Sequence, residues 1–181
     1  MALHTADDRM KARFAAAGAL VVAAAALLTG CVQQREPPAP GQTSRTEPGM
    51  GFFLTSTDDE GAKLAYGRAN SDDVWLMLQC RPGSRTVEIY DARHPGARKG
   101  DMLTLTSGQV QSALAPTLEP NPAVNDGVMV RAQATTGLPA LDGFRHTGAV
   151  AVKLGSREYA LSASAAEKAQ IARFFSACER K

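Results

Sequence analysis

From Gly51 onward, apolar residues fall into short runs with a period of two. Val74, Leu76, Leu78 and Cys80 alternate with Trp75, Met77 and Gln79. Both sets are largely apolar, so the run predicts a strand covered on both faces and central in its sheet. Arg81-Pro82-Gly83-Ser84 reads as a turn, and Val87 and Ile89 continue on the returning strand. Leu103 and Leu105 alternate with Thr104 and Thr106 ahead of Ser107-Gly108. Val128, Val130 and Ala132 alternate with Met129, Arg131 and Gln133, and Val150, Val152 and Leu154 lead through Gly155-Ser156 into Tyr159-Ala160-Leu161. Strands at this spacing, broken by Gly, Pro and Asn, predict a mainly β fold, an antiparallel β-sandwich or open barrel. The long crossovers that a parallel sheet requires are missing from the pattern.

Two segments switch to helical spacing. Leu138 to Arg145, with Leu141 and Phe144 three apart, predicts a single turn between strands. At the C-terminus, Ser164 and Glu167 form a capping box, because the serine oxygen is placed to accept from the Glu167 amide. Ile171, Phe174, Phe175 and Cys178 then fall on one face, so this helix is expected to pack on the sheet and carry Cys178 toward Cys80.

The first fifty residues follow neither pattern. Arg9, Lys11 and Arg13 form a positive flank, and Phe14 to Leu28 carry no charge. That apolar run is shorter than the roughly 20 residues that span a bilayer and suits the h-region of a secretory signal. Leu28-Thr29-Gly30-Cys31 then resembles, at all four positions, the lipobox of bacterial lipoproteins. The resemblance implies that Cys31 receives a diacylglyceryl group, that the lipoprotein signal peptidase reads Leu28, Thr29 and Gly30 and cuts before Cys31, and that the new amino terminus is acylated. Two or three chains anchor stably, since each buried methylene contributes about 0.8 kcal/mol. Asp7 and Asp8 depart from a basic opening, and a start at Met10 gives the cleaner Met10-Lys11-Ala12-Arg13. Val32, where an Asp would imply inner-membrane retention, favours the periplasmic face of the outer membrane. Pro37, Pro38, Pro40 and Pro48, set among polar residues, predict a semi-extended tether without a core. The expected organisation is a signal over 1–30, a lipidated cysteine and tether over 31–50, and a β-domain over 51–181. The layout of residues 62–181 also resembles small lipoproteins of alphaproteobacteria, a likeness that brings no known activity with it.

Loss of residues 1–30 removes three basic and two acidic side chains from totals of 20 and 18, which leaves a net charge of +1. Nothing in that balance points to nucleic acid. With Cys31 lipidated, Cys80 and Cys178 remain in an oxidising compartment, where a disulfide is the expected state and two separate buried thiols the alternative. Such a bond would close a loop of about a hundred residues, worth roughly 4–5 kcal/mol in the chain-entropy model.

Chemistry-bearing motifs are sparse. Ser84 and Ser107 lie in turn sequences, outside any GxSxG or SxxK pattern. His94, before Pro95-Gly96, and His146 read as surface-loop residues, and no HExxH or HxH spacing supports a metal. Asp58-Asp59-Glu60 and Asp72-Asp73 read as solvated turns, and would hold a cation weakly only if they met in space. Trp75 is either core or the wall of a ligand groove. Arg93, Arg98 and Lys99, with Arg81 and Arg85, form the candidate contact surface for anionic headgroups. No cofactor beyond the covalent lipid and no catalytic residue is expected. The leading expectation is therefore a non-enzymatic, outer-membrane-anchored accessory module that binds an envelope protein or lipid. An apolar-ligand carrier with a cavity beside Trp75, Phe174 or Phe175 is a second reading. An envelope enzyme, with a histidine meeting the acidic clusters, is a third.

Overall fold

The computed structural model describes residues 48–121 and 127–180; the signal, lipobox and most of the tether lie outside them. Ten strands and two helices are present among the described residues. In chain order these are β1 (Met50–Thr57), β2 (Gly61–Arg68), β3 (Val74–Cys80), β4 (Thr86–Asp91), β5 (Leu103–Ser107), β6 (Val110–Leu114), β7 (Thr117–Asn121) and β8 (Gly127–Thr135). They are followed by α1 (Pro139–Thr147), β9 (Ala149–Leu154), β10 (Arg157–Ser162) and α2 (Ala165–Glu179). One sheet has the order β1-β2-β3-β4-β8-β7 and the other β10-β9-β5-β6. Every pairing is antiparallel, neither sheet closes, and β3 is central, as its two apolar faces require.

Strand alternation builds the core. Leu64, Leu78, Val87, Ile89, Val130 and Ala132 from the larger sheet meet Leu103, Leu105, Val150, Val152 and Leu161 from the smaller one in a single buried cluster. Both helices join it. The segment expected to be one turn is a nine-residue helix, because Pro139 opens it at a position that needs no amide hydrogen and Gly148, at φ 73°, ends it in the left-handed region. Its Ala140, Leu141 and Phe144 are buried. In α2 the Ser164–Glu167 capping box is formed, and Ile171, Phe174, Phe175 and Cys178 are all inward. Cys178 is joined to Cys80 by a disulfide, with 5.6 Å between the Cα atoms. Gly83 N–H donates to the Ala177 carbonyl and Arg85 N–H to that of Cys178, so the β3–β4 turn is laced to the end of α2.

Two features of the larger sheet depart from regular strand pairing. Tyr66 pairs with Leu76 and Gly67 with Val74, so Trp75 is the extra residue of a β-bulge. The bulge lets both Trp75 and Leu76 turn inward. At the far side of the sheet, α2 closes the edge of β1. The Phe52 amide donates to Glu167 Oε1 at 2.7 Å and the Leu54 amide to Gln170 Oε1 at 2.8 Å. A Cβ at Gly51 would stand 2.1 Å from that Glu167 oxygen, which is why the strand carries glycine there.

Candidate functional site

Parity along β4 sets up the site. Val87, Ile89 and Asp91 share the inward face, so the strand ends by driving a carboxylate into the core. A buried carboxylate needs compensation. Asp91 Oδ1 accepts from the Arg93 amide at 2.7 Å, and Oδ2 lies 2.5 Å from His94 Nδ1. Asp91 is fully buried and His94 only 2% exposed, so the surface-loop reading of His94 is corrected: the chain turns the ring inward to meet the acid. His94 Nε2 lies 3.2 Å from the Arg157 carbonyl oxygen. The ring therefore lies between the acid and this carbonyl, and links the segment after β4 to the start of β10.

Around this pair the aromatic groups stack. The His94 and Tyr159 ring centroids are 5.5 Å apart, Tyr159 meets Trp75 edge-on at 6.1 Å, and the Arg93 guanidinium lies 4.0 Å over Trp75. The Tyr159 hydroxyl is buried and turned toward Asp91 without completing a hydrogen bond. Burial, and then the Asp91 charge, push its pKa well above the ordinary tyrosine value.

The segment from Ala92 to Met102 is held by two successive turns. Ala97 N–H donates to the His94 carbonyl across Pro95-Gly96, and Asp101 N–H to that of Arg98 across Lys99-Gly100, where Gly100 takes φ 98°. Asp101 Oδ2 accepts from the Arg98 amide at 2.9 Å. Between these turns and the β9–β10 turn lies a cleft of about 300 Å³, with His94 at its base and Arg98, Ser156 and Arg157 in its walls. No carboxylate lies within salt-bridge distance of the Arg98 or Arg157 side chain among the described residues.

A second concavity, of about 400 Å³, lies on the outer face of the larger sheet. It is lined by Asp59, Glu60 and Glu88 against Arg81 and Arg131, and Arg131 is engaged by acids. Arg131 bonds Glu88 at 2.9 Å and reaches Glu119 at 3.4 Å, while the Tyr90 hydroxyl donates to Glu88 at 2.5 Å. The Tyr90 hydroxyl and then Arg131 hold the Glu88 carboxyl below the usual range, and burial followed by that same bond raises Tyr90.

The remaining sequence candidates are dispersed. Arg81 and Arg85 sit at the turn end of the β3–β4 hairpin, about 17 Å along β4 from the cleft end, so they do not join Arg93, Arg98 and Lys99. The two acidic clusters lie at opposite ends of β2, about 23 Å apart, and do not meet. His146 is exposed on α1 and bonds the Asp142 carbonyl. Ser107 is satisfied by Ala149 and Thr147, and Ser84 by its own turn. Trp75 is only 5% exposed, beneath Arg93, and Phe174 and Phe175 are fully buried and stacked edge-on. Among the described residues no three His, Cys, Asp or Glu side chains converge. Sequence reading misses Asp91, Ser156 and Arg157; of these, Asp91 carries a signal, since it continues the inward parity of Val87 and Ile89 with a histidine three residues on. No family model matches the chain, and neither a curated protein nor a solved structure matches it.

Proposed function

We propose that this chain is a lipoprotein anchored through Cys31 at the periplasmic face of the outer membrane, whose β-domain binds another envelope component without catalysing a reaction. The observation that carries the binding half of this reading is the cleft beside His94. Among the described residues its two guanidinium groups, of Arg98 and Arg157, have no acidic partner, whereas Arg131 on the outer sheet face is engaged by Glu88 and Glu119. The non-enzymatic half rests on His94 itself. In an acid–histidine–hydroxyl site Nε2 must face the nucleophile; here it faces the Arg157 carbonyl, although Ser156 lines the same cleft. The anchor rests on the lipobox Leu28-Thr29-Gly30-Cys31.

The test is photo-crosslinking in cells, with the reactive side chain placed at Lys99 in one strain and at Arg81 in another. Capture of one component from Lys99 alone, lost when Cys31→Ser prevents acylation, is the expected result. Equal capture from both positions would remove the cleft from the reading. Labelling of Ser156 by a serine-directed fluorophosphonate would overturn the non-enzymatic half, and failure of Cys31 to incorporate labelled palmitate would overturn the anchor.

A further inference from the structure

Three features compete for a further role. The outer-face groove sets three acids, Asp59, Glu60 and Glu88, against Arg81 and Arg131, with Arg131 already bonded to Glu88, and the edge of β1 is already occupied by α2. The cleft beside His94 differs from both, because among the described residues its two guanidinium groups have no acidic partner. Resting on the proposed binding role, we infer that this cleft is a site for a phosphate group.

Charge comes first. Asp91 is fully buried and does not line the cleft, whose charged lining residues are Arg98, Arg157 and Asp101. Asp101 is directed at the backbone amide of Arg98 rather than at a guanidinium. The walls are therefore net positive, and Lys99 and Arg93 stand close by in sequence and add to the field. Guanidinium forks bind planar or tetrahedral oxyanions through paired hydrogen bonds, which a solvated lysine does not match. Two such forks in separate walls, with Ser156 also lining the cleft, suit a group with several acceptor oxygens. A Cβ at Gly96 would meet nothing within 4 Å, so the mouth is open on that side. The walls are also pre-set. Both turns of the 92–102 segment are closed by backbone bonds, and His94 bridges that segment to β10, so little backbone ordering is required on binding. A volume of about 300 Å³ exceeds what a lone phosphate needs and leaves space for the group that carries it.

The phosphate can come from a free solute or a lipid headgroup, and the experiment separates them. The acylated full chain, in nonionic detergent at low salt, is titrated with inorganic phosphate while backbone amide shifts are followed by NMR. A parallel sample carries phosphatidylglycerol in the micelles. Saturable shifts confined to residues 94–101 and 154–157 are expected, with about a tenfold weaker Kd in Arg98→Gln and again in Arg157→Gln. A response to phosphate alone assigns a solute; a response to the doped micelle assigns a headgroup. Either supports the inference. Shifts spread equally over Arg81, Arg85 and Arg173, or binding unchanged in the double variant at an unchanged Tm, would overturn it. Acetate binding as tightly as phosphate would overturn the choice of phosphate. Palmitate incorporation at Cys31 is scored on the same preparation, so loss of the phosphate site alone leaves the anchored-module reading standing.

Discussion

At the turn end of the β3–β4 hairpin, Cys80 is bonded to Cys178, two backbone hydrogen bonds lace the turn to α2, and Arg145 grips Glu179 through both guanidinium nitrogens at 3.0 and 2.6 Å. At the other end of the same strands the chain leaves β4 through a buried acid and histidine and forms a cleft lined by unmatched cations. The first end is tied by covalent, hydrogen-bonded and ionic contacts that repeat one another. The second is held by the buried Asp91–His94 pair, the rings stacked beside it and the backbone bonds of two turns. The disulfide and ion pair mark the end that holds the chain together, while at the other end the Arg98 and Arg157 charges are unpaired among the described residues.

Removing the covalent tie should have the largest effect. Cys80→Ser with Cys178→Ser is expected to cost about 4 kcal/mol through the freed unfolded chain, and to lower Tm by about 15 °C in non-reducing buffer. An unchanged melting curve would mean that the turn end is held by packing alone. The cleft end should come next. His94→Leu strands a buried carboxylate and is expected to cost about 3 kcal/mol, whereas Asp91→Leu combined with His94→Leu removes both partners and should cost less than the single change. Denaturant midpoints decide this; a double variant weaker than the single would show that the pair is net stabilising rather than merely compensated.

Glu167→Ala removes the helix cap and the β1 edge contact together, with an expected loss of about 1–2 kcal/mol. Gly51→Ala should reproduce part of that loss by displacing the same oxygen, and chemical denaturation of the two variants side by side checks it. The smallest effect belongs to Arg145–Glu179. Arg145 holds the Glu179 carboxyl below its ordinary pKa, so this pair stabilises the folded state above the usual carboxylate range and the contribution fades as pH falls through the lowered value. Arg145→Gln should cost about 1 kcal/mol near neutrality and nothing once the acid is protonated. A cost that persists at acid pH would assign it instead to the Arg145 side chain packed over Phe175.

The architecture is legible wherever one residue type repeats at a fixed period. Val87 and Ile89, Val150 and Val152, and the Ile171–Cys178 stripe announce strand or helix because burial on one face dictates the spacing. Val110–Leu114 and Thr117–Asn121 lie at sheet edges and bury few side chains, so their pattern is faint. Trp75 defeats simple alternation because a bulge inserts it. The cleft is only half legible. Arg98 and Lys99 stand out as charges, but Arg157 belongs to a distant hairpin and nothing local marks it as a neighbour. His94 misleads because its loop sequence is typical of the surface, and only the parity of Asp91 reveals what draws it inside.

Glu167 carries one more implication. One of its oxygens bonds the Ser164 amide at the start of α2, and the other takes an amide from the outer side of β1. Starting the helix and blanking the strand edge are thus a single event. Any excursion that undocks α2 simultaneously uncovers a row of amides on which a second molecule can add a strand. Self-association should therefore begin at the helix rather than in the sheets, and reduction of the cysteine bridge, by freeing the far end of α2, would be the condition under which the protein first polymerises.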